Sequence, residues 1–363
     1  MKLTLLSFFV ISFIHFSHSI PEKFTSIFSF GDSLTDTGNF LLSGALTFPS
    51  ISQLPYGMTY FHRPTGRCSD GRLVVDFIAE SQGLPFLPPY LASNQTFRQG
   101  VNFAVAGATA MNPEVLHDMG ISRYIWTNYS LSTQLRWFDE LKPSLCKTTQ
   151  ECSEYFKKSL FLVGEIGGND YNYAFFSGKT AAEVTSIVPK VVQAIAEAIQ
   201  VLVKRGATNL LVPGNLPVGC SSAYLTLFAT EEKEEYDVRN GCLKKLNAFA
   251  RYHNELLQLA MEELRKKYPK TRIIYADYYT AAMRFAHAPG HFGFGRGALQ
   301  TCCGGGGPYN FNVTARCGHP GSHACVDPSD YVSWDGIHLT EAAYHHIADG
   351  LLKGSFTDLP LMI

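Results

Sequence analysis

Three features are scarce in this sequence of 363 residues, and each scarcity excludes a class of protein. Neither sign of charge is in excess, since 30 lysine and arginine residues face 31 acidic residues for a formal net charge of −1. Such a chain has no overall basic surface, so we expect no nucleic-acid partner. After the N-terminus no segment is predicted to cross a bilayer, so we expect no membrane insertion. Repeats and low-complexity linkers are also missing, which predicts one domain over residues 20–363.

The N-terminus is the exception to this lack of long apolar runs. Lys2 precedes the run LTLLSFFVISFIHF, and the small-residue stretch SHS follows it. A basic start, a short apolar stretch and a small-residue exit are typical of a secretory signal peptide. We therefore predict a signal peptide over residues 1–19, and a mature protein that travels to the apoplast, the cell wall or the vacuole.

Potential glycosylation sites agree with a secretory route. The sequence contains three Asn-x-Ser/Thr sequons, at Asn94, Asn128 and Asn312. Such sequons accept glycans where they lie on the surface of a secreted protein. We predict glycosylation at all three.

Nine cysteines in an oxidising compartment predict disulfides with one thiol left over. Cys146 and Cys152 would close a short loop, Cys220 and Cys242 are expected to form a second bridge, and Cys68 is expected to be the free thiol. The remaining four are expected to form two more disulfides. Zinc is the alternative for them, although their spacing lacks paired C-x-x-C units. These four are Cys302, Cys303, Cys317 and Cys325.

Short apolar runs alternate with longer amphipathic stretches, which is typical of an α/β protein with a central parallel sheet. The amphipathic pattern predicts long helices over 181–206, where Pro189 would mark a kink or an early break, and over 240–269. A last helix is expected to begin after Thr340, its N-cap. The predicted strands cover 24–30, 99–106, 158–166, 207–214 and 271–277.

Polar and glycine-rich segments follow the first three predicted strands. They are residues 31–33 (Gly-Asp-Ser), 106–108 (Ala-Gly-Ala) and 167–170 (Gly-Gly-Asn-Asp). Ligands of open parallel sheets bind at the carboxyl ends of the strands, which share one edge of the sheet. We therefore expect the three segments to meet there and to form the site.

Ser33 is the candidate nucleophile, and it needs a base that takes its proton. Among the twelve histidines we prefer His338, because Asp335 precedes it by three residues and can orient the imidazole through Nδ1. A D-x-x-H pair fits the start of a helix without any catalytic role equally well. Taken alone, Ser33 is also explained as a turn residue.

A serine nucleophile also needs donors for the negative charge that develops on the carbonyl oxygen. The candidates are the backbone N–H groups of Ser33 and Gly107 and the side-chain amide of Asn169. Because Gly-Gly-Asn-Asp is also an ordinary turn sequence, each of these assignments depends on the others.

Motifs of competing chemistries are missing from the sequence. Ser33 lacks the flanking glycines of a G-x-S-x-G elbow, no H-E-x-x-H stretch occurs, and CCGGGGPYN lacks the Lys-Ser/Thr of a phosphate loop. Paired carboxylates for glycoside hydrolysis stay open, since any two of the 31 acidic residues can converge. No metal and no organic cofactor is implied, because the triad and the oxyanion donors supply the chemistry.

Four stretches of the sequence resemble the plant secreted GDSL esterases and lipases, within the SGNH hydrolases. FGDSLTDTGN, VNFAVAGATA, LVGEIGGNDYN and VSWDGIHLTEAAY match the family's blocks in order, and the resemblance covers nearly the whole mature chain. It looks closest to the branch of acetylajmalan esterase and sinapine esterase. It implies a flavodoxin-like three-layer α/β/α sandwich, Ser33 as nucleophile, Asp335 and His338 completing the triad, and Gly107 and Asn169 as oxyanion donors.

Together these features predict a carboxylic ester hydrolase that forms an acyl-enzyme on Ser33. The expected substrate is an ester of a small specialised metabolite. We expect a monomer whose partner is a small-molecule ester. Two alternatives stay open: an acyltransferase, in which an alcohol replaces water, and a secreted binding or defence protein that keeps the fold without turnover.

Overall fold

A five-stranded parallel sheet lies at the centre of the computed structural model, which describes residues 23–45, 49–121 and 125–361. The predicted signal peptide, residues 1–19, lies outside the described residues. All five predicted strands are present, although each is shorter than the sequence suggested. They are β1 (Ser26–Phe30), β2 (Gly100–Asn102), β3 (Ser159–Val163), β4 (Asn209–Pro213) and β5 (Arg272–Ala276).

The strands lie in the order β2-β1-β3-β4-β5, which is the flavodoxin-like order. In the register of the sheet, Ile27 of β1 is opposite Gly100 of β2 and Leu160 of β3. The prediction of an α/β fold with a central parallel sheet is confirmed. A strand order that reverses direction at β1 leaves a crevice beside the carboxyl ends of β1 and β3, where such folds bind ligands.

The second strand departs most from its predicted range, which extended to residue 106. Asn102 Oδ1 accepts the N–H of Ala104 at 2.8 Å, and this local bond turns the backbone out of the regular ladder. The chain nevertheless stays beside β1, since the Val105 N–H donates to the Gly31 carbonyl at 3.2 Å. Residues 106–108 therefore still arrive at the same edge as the end of β1.

Helices cover both faces of the sheet because successive strand residues point to opposite faces. Phe28 belongs to one apolar core and its neighbour Ile27 to the other. The first core includes residues of α4, α7 and α9, and the second includes residues of α2, α10 and α11. The helices are α1 (Asn39–Leu42), α2 (Val74–Gln82), α3 (Pro113–Asp118), α4 (Leu131–Leu145), α5 (Thr149–Lys157), α6 (Gly168–Phe176), α7 (Ala181–Lys204), α8 (Ser222–Leu227), α9 (Lys244–Lys267), α10 (Tyr278–His287) and α11 (Glu341–Leu352).

Helix α7 bears on two expectations from the sequence. It continues through Pro189, so the proline does not break it, and the alternative of a kink stays a prediction. Within the described residues it is also long and apolar enough, by length and composition alone, to cross a membrane, which the sequence reading had denied for any segment after the N-terminus. In the structure α7 packs against α9 and α4, and its apolar residues face the first core. Helix α11 begins as predicted, with Thr340 Oγ1 accepting the N–H of Ala343.

Eight cysteines form disulfides and Cys68 is free and buried. The two predicted bridges are present, and the four clustered cysteines also pair, so their sulfur atoms are not available as zinc ligands. Burial raises the pKa of the Cys68 thiol well above its ordinary value. The disulfides are Cys146–Cys152, Cys220–Cys242, Cys302–Cys325 and Cys303–Cys317.

The predicted glycosylation sites differ in their exposure. Asn94 and Asn128 are exposed, whereas Asn312 is half-buried. The Oδ1 atom of Asn312 accepts two hydrogen bonds from Thr314, the second residue after it. Glycosylation at the three positions stays a prediction.

Candidate active site

The turn that carries Ser33 begins at Gly31, immediately after β1. Gly31 has φ +141°, and a Cβ there would lie 2.7 Å from Thr35 Cγ2 and 3.0 Å from the Glu165 carbonyl oxygen, so only glycine fits. Gln134 pairs with both backbone groups of Gly31, accepting its N–H and donating to its carbonyl, each at 2.8 Å. These two hydrogen bonds hold the backbone of Gly31, and Ser33 follows two residues later.

Ser33, His338 and Asp335 form a continuous chain of hydrogen bonds. His338 Nε2 lies 2.8 Å from Ser33 Oγ, and His338 Nδ1 lies 2.7 Å from Asp335 Oδ2. The side chains are buried, with 6%, 3% and 7% of Ser33, His338 and Asp335 exposed. The structure thus brings together the three residues predicted from two distant parts of the sequence, in the geometry of a serine triad.

The Asp335 carboxylate is held by donors of its own turn. Oδ1 accepts the backbone N–H of Ile337 at 3.1 Å and of His338 at 2.9 Å, which explains why a three-residue spacing suits this pair. Burial by itself raises the pKa of Asp335, but the His338 charge and these hydrogen bonds outweigh it and lower the pKa to about 2. The carboxylate is therefore ionised wherever the histidine can work as a base.

Tyr56 is a site residue that the sequence reading missed. Its hydroxyl donates to Asp335 Oδ2 at 2.8 Å, from a position 279 residues earlier in the chain. The ring of Tyr56 packs edge-on against Trp334, with 5.8 Å between ring centroids. Tyr56 lies in the stretch PYGMTYFHRPTGRCSDGR, but nothing in its local pattern indicates a contact with Asp335.

The predicted oxyanion donors lie together, although they are not equivalent. Within the described residues the backbone N–H groups of Ser33 and Gly107 donate no hydrogen bond. The Asn169 amide donates to Asp32 Oδ2 at 3.1 Å and to the Ala108 carbonyl at 3.0 Å, so both of its hydrogens are engaged. Asn169 therefore links the segments of Ser33 and Gly107, and it has to share a hydrogen if it also binds an oxyanion.

Gly107 occupies a position that favours glycine. Its φ is +81°, and a Cβ would lie 2.8 Å from the Tyr173 hydroxyl and 3.0 Å from Trp126 Cβ. The Tyr173 hydroxyl donates to the Gly107 carbonyl at 2.7 Å, which holds the peptide unit that follows Gly107. The close packing on Tyr173 and Trp126 explains the residue type.

Asp32 and Glu165 form a buried carboxyl pair beside Ser33. Burial raises the pKa of Glu165 to about 7, and burial together with the Glu165 charge raises the pKa of Asp32 well above its ordinary value. These pKa values belong to the pair, which holds one proton near neutral pH. Asp32 also accepts N–H groups from Leu34 and Asn169. Glu165 is the one charged residue in the stretch LVGEIGG, which otherwise contains apolar residues and glycine. No function was assigned to it from the sequence.

Two further buried carboxylates tie the three segments to one another. Asp36 Oδ2 accepts the N–H of Ala106 at 2.8 Å, and burial raises the pKa of Asp36 to about 6. Asp170 accepts the N–H groups of Ala110 at 2.8 Å and Met111 at 3.0 Å, and burial raises its pKa to about 7. The expectation that the segments after β1, β2 and β3 meet at one edge of the sheet is therefore confirmed.

Two cavities meet at Ser33. The first has a volume of about 110 Å³, and its lining includes the Asp32–Glu165 pair and aliphatic side chains such as Leu216. The second has a volume of about 490 Å³, is rich in aromatic side chains, and is lined by His338 as well. Both cavities reach Ser33, so each can receive one part of a group bound to its hydroxyl.

Comparison with known proteins gives the same picture over nearly the whole chain. The sequence profile of the family described as GDSL-like Lipase/Acylhydrolase matches residues 27–351. GDSL esterase/lipase At5g45910 of Arabidopsis thaliana is 52% identical over 367 residues, which cover 98% of this chain and 99% of that protein. GDSL esterase/lipase At1g28590 of the same plant is 53% identical over 341 residues, covering 93% and 84% respectively.

Proposed function

This chain belongs to the GDSL-like lipase/acylhydrolase family and is a carboxylic ester hydrolase, and we propose that it works through Ser33, His338 and Asp335. The observation that carries the proposal is the buried chain of hydrogen bonds from Ser33 Oγ through the imidazole to Asp335. A nucleophile, a base and an orienting carboxylate in that order are what acyl transfer to a serine requires.

In the first half-reaction, His338 Nε2 takes the proton of Ser33 Oγ while Oγ forms a bond with the ester carbonyl carbon. The N–H groups of Ser33 and Gly107 bind the oxygen that becomes negative, with Asn169 as third donor. His338 then gives its proton to the alkoxide oxygen, the bond from carbon to that oxygen breaks, and the alcohol leaves. Water activated by His338 releases the acid from Ser33 in the second half-reaction.

The two cavities divide the substrate. His338 has to reach the oxygen of the departing alcohol, so the alcohol belongs in the cavity that His338 lines. The smaller cavity, which extends past Asp32 and Asn169, takes the acyl group. Its volume of about 110 Å³ favours a small acyl chain over a long one. This division supports an ester of a small specialised metabolite as the substrate. Membership of the branch of acetylajmalan esterase and sinapine esterase stays a proposal that rests on the resemblance of the sequence alone.

A panel of nitrophenyl esters of increasing acyl length tests the proposal. We expect Ser33→Ala and His338→Ala to lower kcat by roughly 10⁴-fold or more, because members of a triad act as a unit. A fluorophosphonate should label the parent protein and not Ser33→Ala. Asn240→Ala, far along the chain and outside both cavities, is the matched control. Hydrolysis by either triad variant at the parent rate contradicts the proposal.

An acyltransferase is the second candidate, because the cavity assigned to the alcohol is rich in aromatic side chains. Such a lining excludes water better than a polar one and favours an organic acceptor over hydrolysis. Incubating a donor ester with aromatic and aliphatic alcohols, and comparing new ester with free acid, distinguishes the two activities. Free acid as the only product supports the hydrolase.

We also propose that the protein is secreted as a glycosylated monomer. Four disulfides support an oxidising compartment, and Asn94 and Asn128 are exposed. N-terminal sequencing of the protein recovered from a plant culture medium should begin near residue 20, and glycosidase treatment should lower its mass. A protein retained in cells with Met1 intact contradicts this address.

A further inference from the structure

One cationic side chain, Arg316, lines the aromatic cavity. Its Nε atom is buried and has no hydrogen-bond partner among the residues that the structure describes. Buried donors of folded proteins nearly always have partners, and arginine offers five donors in a planar fork. A buried arginine donor without a partner, on a side chain that lines a cavity beside the nucleophile, indicates a ligand with an acceptor for it.

Arg316 is held close to the triad by the disulfide-linked loop. The next residue, Cys317, is bonded to Cys303, and the Cys303 N–H donates to the Trp334 carbonyl at 2.7 Å, one residue before Asp335. The charge of Arg316 also acts on Tyr56: burial raises the pKa of the Tyr56 hydroxyl, and Arg316 opposes that rise. The backbone beside Arg316 is therefore anchored next to the triad, and the guanidinium lies close enough to Tyr56 to act on its hydroxyl.

The rest of the lining defines the shape of the ligand. Flat aromatic walls favour a planar ring, which gains edge-to-face and stacking contacts in addition to the burial of its area. His338 opens into the same cavity, so a ring bound there is attached to the departing oxygen. The aromatic lining residues are Tyr56, Trp126, Tyr173, Phe175, Phe176, Phe228 and Phe311.

We propose that this cavity binds an aromatic alcohol that carries a carboxylate, and that Arg316 pairs with the carboxylate. The substrates are then esters in which a small acyl group is joined to a hydroxyl of a negatively charged aromatic ring. A guanidinium and a carboxylate match in geometry and form two parallel hydrogen bonds, which a neutral amide cannot do. The assignment of the ring to the alcohol part rests on the proposed esterase reaction, whereas the anion site rests on Arg316 alone.

Binding of the alcohol product tests the anion site without turnover. In a Ser33→Ala background, 4-hydroxybenzoate should bind roughly 10- to 100-fold more tightly than 4-hydroxybenzamide, as measured by titration calorimetry. Adding Arg316→Gln should remove that difference, and Arg316→Lys should retain part of it. Arg296→Gln is the matched control, because Arg296 is exposed and lines neither cavity. Equal binding of the two compounds, or a preference that survives Arg316→Gln, overturns the inference.

Kinetics then separate this inference from the proposed function. The ratio of kcat/KM for 4-acetoxybenzoate to that for 4-acetoxybenzamide should fall roughly 10- to 100-fold in Arg316→Gln, and intrinsic ester reactivity cancels in the comparison. If both esters are hydrolysed through Ser33 but the ratio does not change, the carboxylate assignment is wrong and the esterase stands. If the benzoate binds through Arg316 but no ester is hydrolysed, the anion site stands and the proposed reaction is wrong.

Discussion

Replacing Glu165 with glutamine should flatten the pH dependence of stability. Burial raises the pKa of Glu165 to about 7 from an ordinary 4.5, and each pH unit is worth about 1.4 kcal/mol. A carboxyl whose pKa is raised by folding stabilises the fold fully below its unfolded pKa, and this contribution is lost as pH rises through the folded pKa. The full loss is about 3 kcal/mol, and most of it falls between pH 5 and pH 8. Glutamine cannot ionise, and its amide can still donate to Asp32.

The measurement is urea unfolding at pH 5, 6, 7 and 8, followed by circular dichroism, for the parent chain, Glu165→Gln and Glu255→Gln. Glu255 is exposed on α9, so its variant should follow the parent at every pH. The free energy of unfolding of Glu165→Gln should rise relative to the parent by roughly 2–3 kcal/mol between pH 5 and pH 8. Curves for the parent and Glu165→Gln that stay parallel within about 1 kcal/mol refute the buried pair.

Ionisation of the Asp32–Glu165 pair also affects the candidate active site, because Asp32 accepts a hydrogen bond from the Asn169 amide. Above the pKa of the pair both carboxylates carry charge in a buried place, and the second charge disturbs the contact that holds Asn169 between the Ser33 and Gly107 segments. We therefore expect kcat of the parent to fall on the alkaline side at a lower pH than kcat of Glu165→Gln. The pair thus couples a stability effect to the position of an oxyanion donor.

Three further substitutions or reagents test individual contacts. Tyr56→Phe removes the hydrogen bond to Asp335 and should lower kcat roughly 2- to 10-fold with little change in KM, measured by steady-state kinetics; full activity contradicts this role. Gly107→Ala places a methyl group against Tyr173 at positive φ, so the free energy of unfolding should fall by roughly 1–3 kcal/mol in urea titrations, and an unchanged value would show that the turn adapts. Burial raises the pKa of Cys68, so iodoacetamide should label it only after unfolding in guanidinium, and a native protein labelled at pH 8 in mass spectrometry contradicts that burial.

Local sequence signals predicted much of the fold and, at the candidate site, the contacts among Ser33, His338 and Asp335. The five strands were predicted because short apolar runs between amphipathic stretches are a local pattern. A break of α7 at Pro189 was one of two expectations and is wrong, because the packing of α7 against α9 and α4 stabilises a continuous helix. For the same reason the composition of α7 alone does not distinguish a buried helix from a membrane-spanning one.

At the candidate site, a contact between residues near in sequence was predicted, whereas two residues more distant in sequence were missed. Asp335 and His338 were paired from the sequence because their contact closes within one turn of the chain, where backbone N–H groups also hold the carboxylate. Tyr56 contacts the same carboxylate across 279 residues of sequence. Its ring packs against Trp334, and this tertiary contact has no local signal in the sequence. Arg316 was missed for a related reason, since its lack of a partner is a property of the folded cavity and has no counterpart in the pattern TARCGHP. Tyr56 and Arg316 are therefore found only from burial and hydrogen-bond partners in the folded structure, and both line the aromatic cavity.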